Sequence, residues 1–163
     1  MKYQEDGGDI TMMIDSDWAG DTSSRRSTSG GVILHGNHML THWSKMQSTI
    51  ALSSGEAELN AAVKGASEGI GIQELLKEWN VYQEVRVKLM TDSSVAKGTI
   101  TRRGSGKMKH LTAKQLWIQE AVRNYDIDIV KINREINSAD LLTHQCPKAD
   151  FEAHLYRLQV IRL

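Results

Sequence analysis

Ala51-Leu-Ser-Ser-Gly-Glu-Ala-Glu-Leu-Asn-Ala-Ala62 is the stretch on which the reading of this 163-residue chain turns. Ser53 and Ser54 suit an N-cap, because a hydroxyl accepts from the N–H groups that a first helical turn leaves unpaired. Glu56 and Glu58 follow at once, where the positive end of a helix dipole favours carboxylates. Leu59, Ala62, Val63, Ala66 and Ile70 then recur at steps of three and four, which predicts a helix laid on a core. A helix start this rich in acids is either capping or a carboxylate held over something positive. The acids elsewhere in the chain decide which.

Upstream, Ile10-Thr-Met-Met-Ile-Asp15 is a short apolar run closed by an acid, which predicts a buried strand. Thr22 to Gly30 reads as a polar loop. Gly31–His35 and His38–Ser44 read as two strands joined at the turn signal Gly36-Asn37, so the first three strands form an antiparallel meander. Downstream, the helix is predicted from about Ser54 to Trp79, with a bend or break at Gly65, Gly69 and Gly71. Leu75, Leu76 and Trp79 restore its apolar face. Val85–Met90 predicts a fourth strand, followed by Thr91-Asp92-Ser93-Ser94, an acid and a helix cap. A short helix follows over 94–100 and another over 111–125. Asp126–Ile132 alternates as a fifth strand, and Asn137-Ser-Ala-Asp140 starts a last helix with Pro147 at its end or at a turn. The tail, 151–163, is amphipathic and reads as a terminal helix.

The order β-β-β-α-β-α-α-β-α predicts one α/β domain over 1–163, with its core at about 10–145 and a mixed five-stranded sheet carrying helices. No internal repeat, low-complexity segment or linker interrupts it. Composition is that of an ordinary globular domain, 40% apolar and 25% charged. No apolar run approaches the roughly 18 residues of a membrane span. The polar start carries no secretory pattern. The lone Cys146 excludes an internal disulfide framework and a cysteine-rich zinc site, and a reducing compartment is expected. Charge balances at 20 basic and 20 acidic residues, but Lys97 to Lys114 holds six Lys or Arg and no acid. That segment is one local basic stretch on a neutral chain.

Asp15, Glu58, Asp92 and Asp140 recur at equivalent places, at strand ends or in first helical turns. In sheets of this kind those positions gather on one edge. Four carboxylates brought together repel and raise one another's pKa unless a cation neutralises them. Hard oxygen ligands without a Cys or His cluster select Mg²⁺ or Mn²⁺, and two such ions roughly 4 Å apart serve in-line phosphoryl displacement. Each acid taken alone reads more readily as a cap or turn residue.

Seven segments carry a resemblance. Asp15-Ser-Asp-Trp-Ala-Gly, Arg25-Arg-Ser-Thr-Ser-Gly-Gly, Trp43-Ser-Lys-Met-Gln, Ala51-Leu-Ser-Ser-Gly-Glu-Ala-Glu-Leu, Thr91-Asp-Ser-Ser, Lys109-His-Leu and Asn137-Ser-Ala-Asp-Leu-Leu-Thr stand in order over roughly residues 10 to 145. Together they resemble the ribonuclease H domain of copia-type LTR retrotransposon polyproteins. The resemblance implies a three-layer type 1 ribonuclease H fold that cuts the RNA strand of an RNA–DNA hybrid with two Mg²⁺ ions, Mn²⁺ being a possible substitute. It implies that Asp15, Glu58, Asp92 and Asp140 bind the metal, with Asp15 bridging, Glu58 and Asp92 on one ion and Asp140 on the other. Asp15 is preferred to Asp17 because it directly ends the strand, and Glu58 to Glu56 because it is the acid of the Ala-Glu-Leu pattern. An adjacent reverse transcriptase domain and an intracellular, cytoplasmic setting in the virus-like particle of a retroelement are implied as well.

The resemblance also suggests substrate contacts at Ser53, Ser54 and Ser93, for which plain capping is the competing reading. Arg25, Arg26, Lys107 and Lys109 are candidates for salt-dependent grip on phosphates, with Trp117 adding an aromatic face, against the reading of a solvated surface. Related enzymes usually carry a histidine in the loop before the last helix. Here that loop, Asn133-Arg-Glu-Ile-Asn-Ser138, has none. His110 is the candidate replacement or phosphate contact, or else a capping histidine, and His144 is a weaker candidate. His35, His38 and His42 carry no metal-site reading. Met12, Met13, Trp43 and Trp79 read as core or edge packing. The other readings of the chain are a catalytically weak or inactive ribonuclease H fold that binds hybrids or packs against a polymerase, and an integrase-like enzyme, against which the position of Glu58 speaks.

Overall fold

The computed structural model describes residues 9–81, 84–104, 113–125 and 127–160. Five strands form one mixed sheet in the order β3-β2-β1-β4-β5. They are β1 Ile10–Ser16, β2 Thr28–His35, β3 His38–Met46, β4 Val87–Thr91 and β5 Ile127–Lys131. The first three pair antiparallel, whereas β1–β4 and β4–β5 pair parallel. The mixed five-stranded sheet with an antiparallel meander is therefore as expected. β2 starts earlier than its apolar pattern, at Thr28. Gly30 pairs with Asp15 on one side and Ser44 on the other, so two neighbours hold the polar residues in the ladder.

Alternation along β1 sorts its side chains between two faces. Ile10, Met12 and Ile14 join Ile33, Leu59, Ala62, Ala66, Val87 and Leu89 in the larger core, under α1 Ser54–Glu78, α2 Ser94–Thr101 and α3 Ala113–Asn124. Met13 packs on the other face with Val32, Leu34, Leu141, Leu142 and Leu158. That face is covered by the 3-10 turn Ser138–Leu142, against which α4 Lys148–Arg157 packs; a further short 3-10 turn, Arg134–Ile136, precedes it in the chain. The sheet is thus the middle of three layers. The last helix expected from Asn137 is instead a 3-10 turn, and Pro147 stands at the N-cap of α4, where its fixed φ suits a helix start.

α1 does not break at its glycines; it runs unbroken over 25 residues. A Cβ on Gly65 would lie 2.6 Å from Ile14 Cγ2, and one on Gly69 would strike Met12 Sδ. The glycines let the helix axis sit close on β1, and that burial outweighs their poor helix propensity. Beyond them the apolar face fades: Leu76 packs, but Leu75 is 39% and Trp79 67% exposed. Trp79 is thus a surface residue rather than core. Trp117 is half-buried and packs against the larger core.

Candidate active site

Asp15 ends β1 on the edge of the sheet where β4 also ends and α1 begins. Its side chain is buried, only 4% exposed, and its Oδ2 accepts from the Thr143 hydroxyl. Burial pushes the Asp15 carboxyl up from the usual range, the Thr143 bond opposes this, and the nearby charges of Asp92 and Asp140 raise it further. Asp17, two residues on, is spent differently. It accepts from Thr28 N–H and donates its own N–H to Thr28 O at 3.1 Å, closing the base of the β1–β2 loop.

The two glutamates of the α1 start divide the same way. Ser53 is the N-cap, accepting from Glu56 N at 3.2 Å, and Glu56 reaches back to Leu52 N at 2.9 Å, a reciprocal arrangement of the capping-box kind. Glu58, two residues further, instead reaches β1, where its Oε1 accepts from Ser16 N at 3.3 Å. Its Oε2 is buried and has no hydrogen-bond partner. Burial first, then the charges of Asp15 and Asp92, push its carboxyl up to about 8.

Asp92 follows β4. The adjoining Thr91 accepts from Ser93 N at 3.0 Å, and Ser93 caps α2 by accepting from Ala96 N at 3.1 Å. One carboxylate oxygen each from Asp15, Glu58 and Asp92 can be chosen within 4.8 Å of one another. Asp15, Asp140 and His144 form a second such set, so Asp15 is common to both. His144 Nε2 lies 3.6 Å from Asp15 Oδ2 and 4.0 Å from Asp140 Oδ1.

Asp140 arrives from the far end of the chain, on the Ser138–Leu142 turn. Asn137 fastens that turn. It is fully buried, donates from Nδ2 to Ile14 O at 2.9 Å and accepts from Ala139 N at 3.3 Å. Gly30 makes the approach possible, since a Cβ there would lie 2.8 Å from Leu142 Cβ and 2.8 Å from Thr143 Cγ2. Ser44 adds a bond to Leu142 O at 2.6 Å. Arg134 stands outside, its Nε 3.2 Å and its Nη2 3.1 Å from Asp140 Oδ1. A cleft of about 640 Å³ opens beside Asp140, lined among others by Arg134, Cys146, His154 and Arg157.

The four acids singled out from the sequence are thus together. The residues present fit a divalent cation: the donors are hard oxygens, and Glu58 Oε2 is a buried acceptor left unsatisfied, a costly arrangement without a charge to meet it. Ser53 and Ser93 act as caps, Ser54 is exposed at the helix start, and Arg25 and Arg26 are exposed in the β1–β2 loop. Lys107, Lys109 and His110 lie outside the described residues. Sequence reasoning passed over the parts that hold Asp140 in place: Asn137, Thr143, Gly30 and Arg134. It also underrated His144. The spacing of His144 four residues after Asp140 was a usable signal; the others act through contacts far apart in the chain.

No family model matches the chain. It is 30% identical over 138 residues, 85% of its length, to the retrovirus-related Pol polyprotein from transposon TNT 1-94 of Nicotiana tabacum. It is 27% identical over 150 residues, 91% of its length, to the retrovirus-related Pol polyprotein from transposon RE2 of Arabidopsis thaliana. The chain spans 10% of the length of each of these relatives. Among solved structures it is similar to ribonuclease H1 from the archaeon Halobacterium salinarum, with TM-score 0.58, 16% identity and coverage of 83% of this chain and 94% of that one. It is similar also to LC11-RNase H1 in complex with an RNA/DNA hybrid, with TM-score 0.55, 17% identity and coverage of 82% and 92%. The chain is accordingly a homologue of the Pol polyproteins of plant copia-type transposons and carries the ribonuclease H fold.

Proposed function

We propose that this chain is the ribonuclease H of a copia-type Pol polyprotein, a metal-dependent endonuclease that hydrolyses the RNA strand of an RNA–DNA hybrid. The observation that carries the reading is Asp15, buried and common to two sets of metal-ligand atoms. Asp15 would bridge, Glu58 and Asp92 would hold one Mg²⁺ and Asp140 the other, with Mn²⁺ as a substitute. Two divalent cations bound there would supply the charge that activates the attacking water and stabilises the leaving 3′ oxygen. The chain's own part is to hold the acids ready. Thr143 fixes the Asp15 carboxylate, Ser16 N–H orients Glu58, and Asn137 keeps Asp140 beside β1.

The hybrid would lie along this edge. Ser53 and Ser54 at the α1 start would offer hydroxyls to a DNA-strand phosphate, and Ser93, next to Asp92, would contact the substrate. Arg25, Arg26, Lys107, Lys109 and His110 would add grip on phosphates. Selection of the hybrid rests on 2′-OH groups in one strand and DNA shape in the other. A reverse transcriptase domain elsewhere in the polyprotein would supply much of the affinity. The working place would be a cytoplasmic virus-like particle.

The test is cleavage of a strand-labelled hybrid with Mg²⁺ or Mn²⁺, by the chain and by Asp92→Asn. The expected result is cutting of the RNA strand alone, lowered in the variant by about 10³-fold or more, as for loss of a group that stabilises transition-state charge. A folded chain that binds hybrid yet cuts nothing, even fused to its polymerase domain, would make it a binding module instead.

A further inference from the structure

We propose that His144 is a ligand of the site, which makes its Asp15–Asp140 side a mixed nitrogen–oxygen centre that prefers Mn²⁺ to Mg²⁺. This rests on the reading above that the carboxylates hold divalent cations, and it names a donor outside the four acids. His144 N donates to Asp140 O at 3.0 Å, so the chain makes one turn between the two residues. Both side chains then fall on the Asp15 side, His144 Nε2 being 3.6 Å from Asp15 Oδ2 and 4.0 Å from Asp140 Oδ1. Ligand atoms on one small cation with bonds near 2.1 Å stand about 3–4 Å apart, so little movement is needed to close around it.

The two sides then differ in chemistry. Asp15, Glu58 and Asp92 offer oxygen only, which suits Mg²⁺. Asp15, Asp140 and His144 add an imidazole nitrogen, a donor that transition metals accept far more readily than Mg²⁺ does. Arg134 holds the same Asp140 oxygen that faces His144. Its side chain is 64% exposed, so it has room to swing out and yield that oxygen. His144 lies in the segment after Asp140, not in the loop Asn133–Ser138 before it.

The experiment is titration of the chain with Mn²⁺ alone and with Mg²⁺ alone by calorimetry, followed by electron spin-echo spectroscopy of the bound Mn²⁺. It uses the wild type, His144→Ala and Asp92→Asn. The proposal expects a ¹⁴N coupling in the wild type that persists in Asp92→Asn and vanishes in His144→Ala. It also expects loss of His144 to weaken the Mn²⁺ affinity of that side by on the order of tenfold or more, with a smaller change for Mg²⁺. Mn²⁺ bound with no ¹⁴N coupling, or a coupling that survives His144→Ala, overturns the role of His144 and leaves the carboxylate centre standing. No Mn²⁺ or Mg²⁺ bound by the folded wild type overturns the metal reading of the whole site.

Discussion

Glu58 stands on a 25-residue helix packed closely along β1, whereas Asp140 stands on a 3-10 turn of five residues held by single side chains. The first side of the site is a by-product of the core. Ile14, Leu59, Gly65 and Leu89 fix the angle at which α1 meets the sheet, and Glu58 follows. The second side rests on a smaller apolar cluster, in which Leu141 and Leu142 of the Asp140 turn pack with Met13, Val32, Leu34 and Leu158. It depends in addition on a few specific contacts made by Asn137, Gly30, Ser44 and Thr143. Damage to the first side is expected to need a disturbed core, while damage to the second should follow from one lost hydrogen bond.

Asn137→Ala is the sharpest way to break that asymmetry. The β1–β4 ladder ends at Met13–Met90, and Asn137 Nδ2 supplies the donor to the next carbonyl, Ile14 O. Truncation leaves that carbonyl and the Ala139 N–H without their partner in a buried place, a cost of about 2–3 kcal/mol. At about 2–4 °C per kcal/mol for a chain of this size, the melting temperature should fall by roughly 4–12 °C. Hybrid cleavage should drop by on the order of 10–100-fold even at temperatures where the variant is folded, as for a displaced positioning group. The Asp15–Glu58–Asp92 side should keep its cation affinity in calorimetry. If stability falls but cleavage per folded molecule does not, Asn137 is packing only and the second side is more rigid than its contacts imply.

The same asymmetry explains what could be read from the chain. Strand ends and helix starts are local patterns, so Asp15, Glu58, Asp92 and Asp140 were legible before any coordinates. The choice of Glu58 over Glu56 also had a local basis, since Ser53-Ser-Gly-Glu56 has capping-box spacing. What periodicity does not encode is contact between distant residues. Gly65 and Gly69 read as a break because propensity sees only the helix, and the side chains of Ile14 and Met12 that need those gaps are some fifty residues away. Asn137 and Thr143 meet β1 across separations of 123 and 128 residues, so nothing in their neighbourhood announces a role at Asp15. Trp79 continues the apolar face by spacing, yet it is largely exposed.

Electrostatics gives a second, smaller contrast between the sides. Glu58 is pushed up to about 8 by burial and by Asp15 and Asp92, from an ordinary value of 4.5. The folded chain therefore binds this proton more tightly than the unfolded chain does. Its contribution to stability is full below about pH 4.5 and is lost as pH rises through about 8. Asp15, raised mainly by burial, acts in the same direction. Glu58→Gln keeps the neutral shape and removes this loss. Without metal it should melt above wild type at pH 8, and much closer to wild type at pH 5. Added Mg²⁺ should narrow the gap at pH 8, because it binds the wild-type carboxylate. Equal melting at both pH values would mean that the first side is better solvated than its burial indicates.

The smallest effect tests the outer guard of the second side. Arg134 pairs with Asp140 Oδ1 through both Nε and Nη2, but the guanidinium is 64% exposed while the carboxylate is 13% exposed. An ion pair open to water on one side contributes about 0–1 kcal/mol, so it competes with a cation for that oxygen only weakly. Arg134→Ala should therefore tighten cation binding on the Asp140 side by at most about fivefold, the equivalent of about 1 kcal/mol, and leave the melting temperature of the metal-free chain within about 2 °C. Raising the salt concentration should shrink the difference, because exposed charges are screened. A loss of affinity in this variant would reverse the assignment. Arg134 would then be holding Asp140 in the orientation that receives the cation, and the second side of the site would depend on one more single contact.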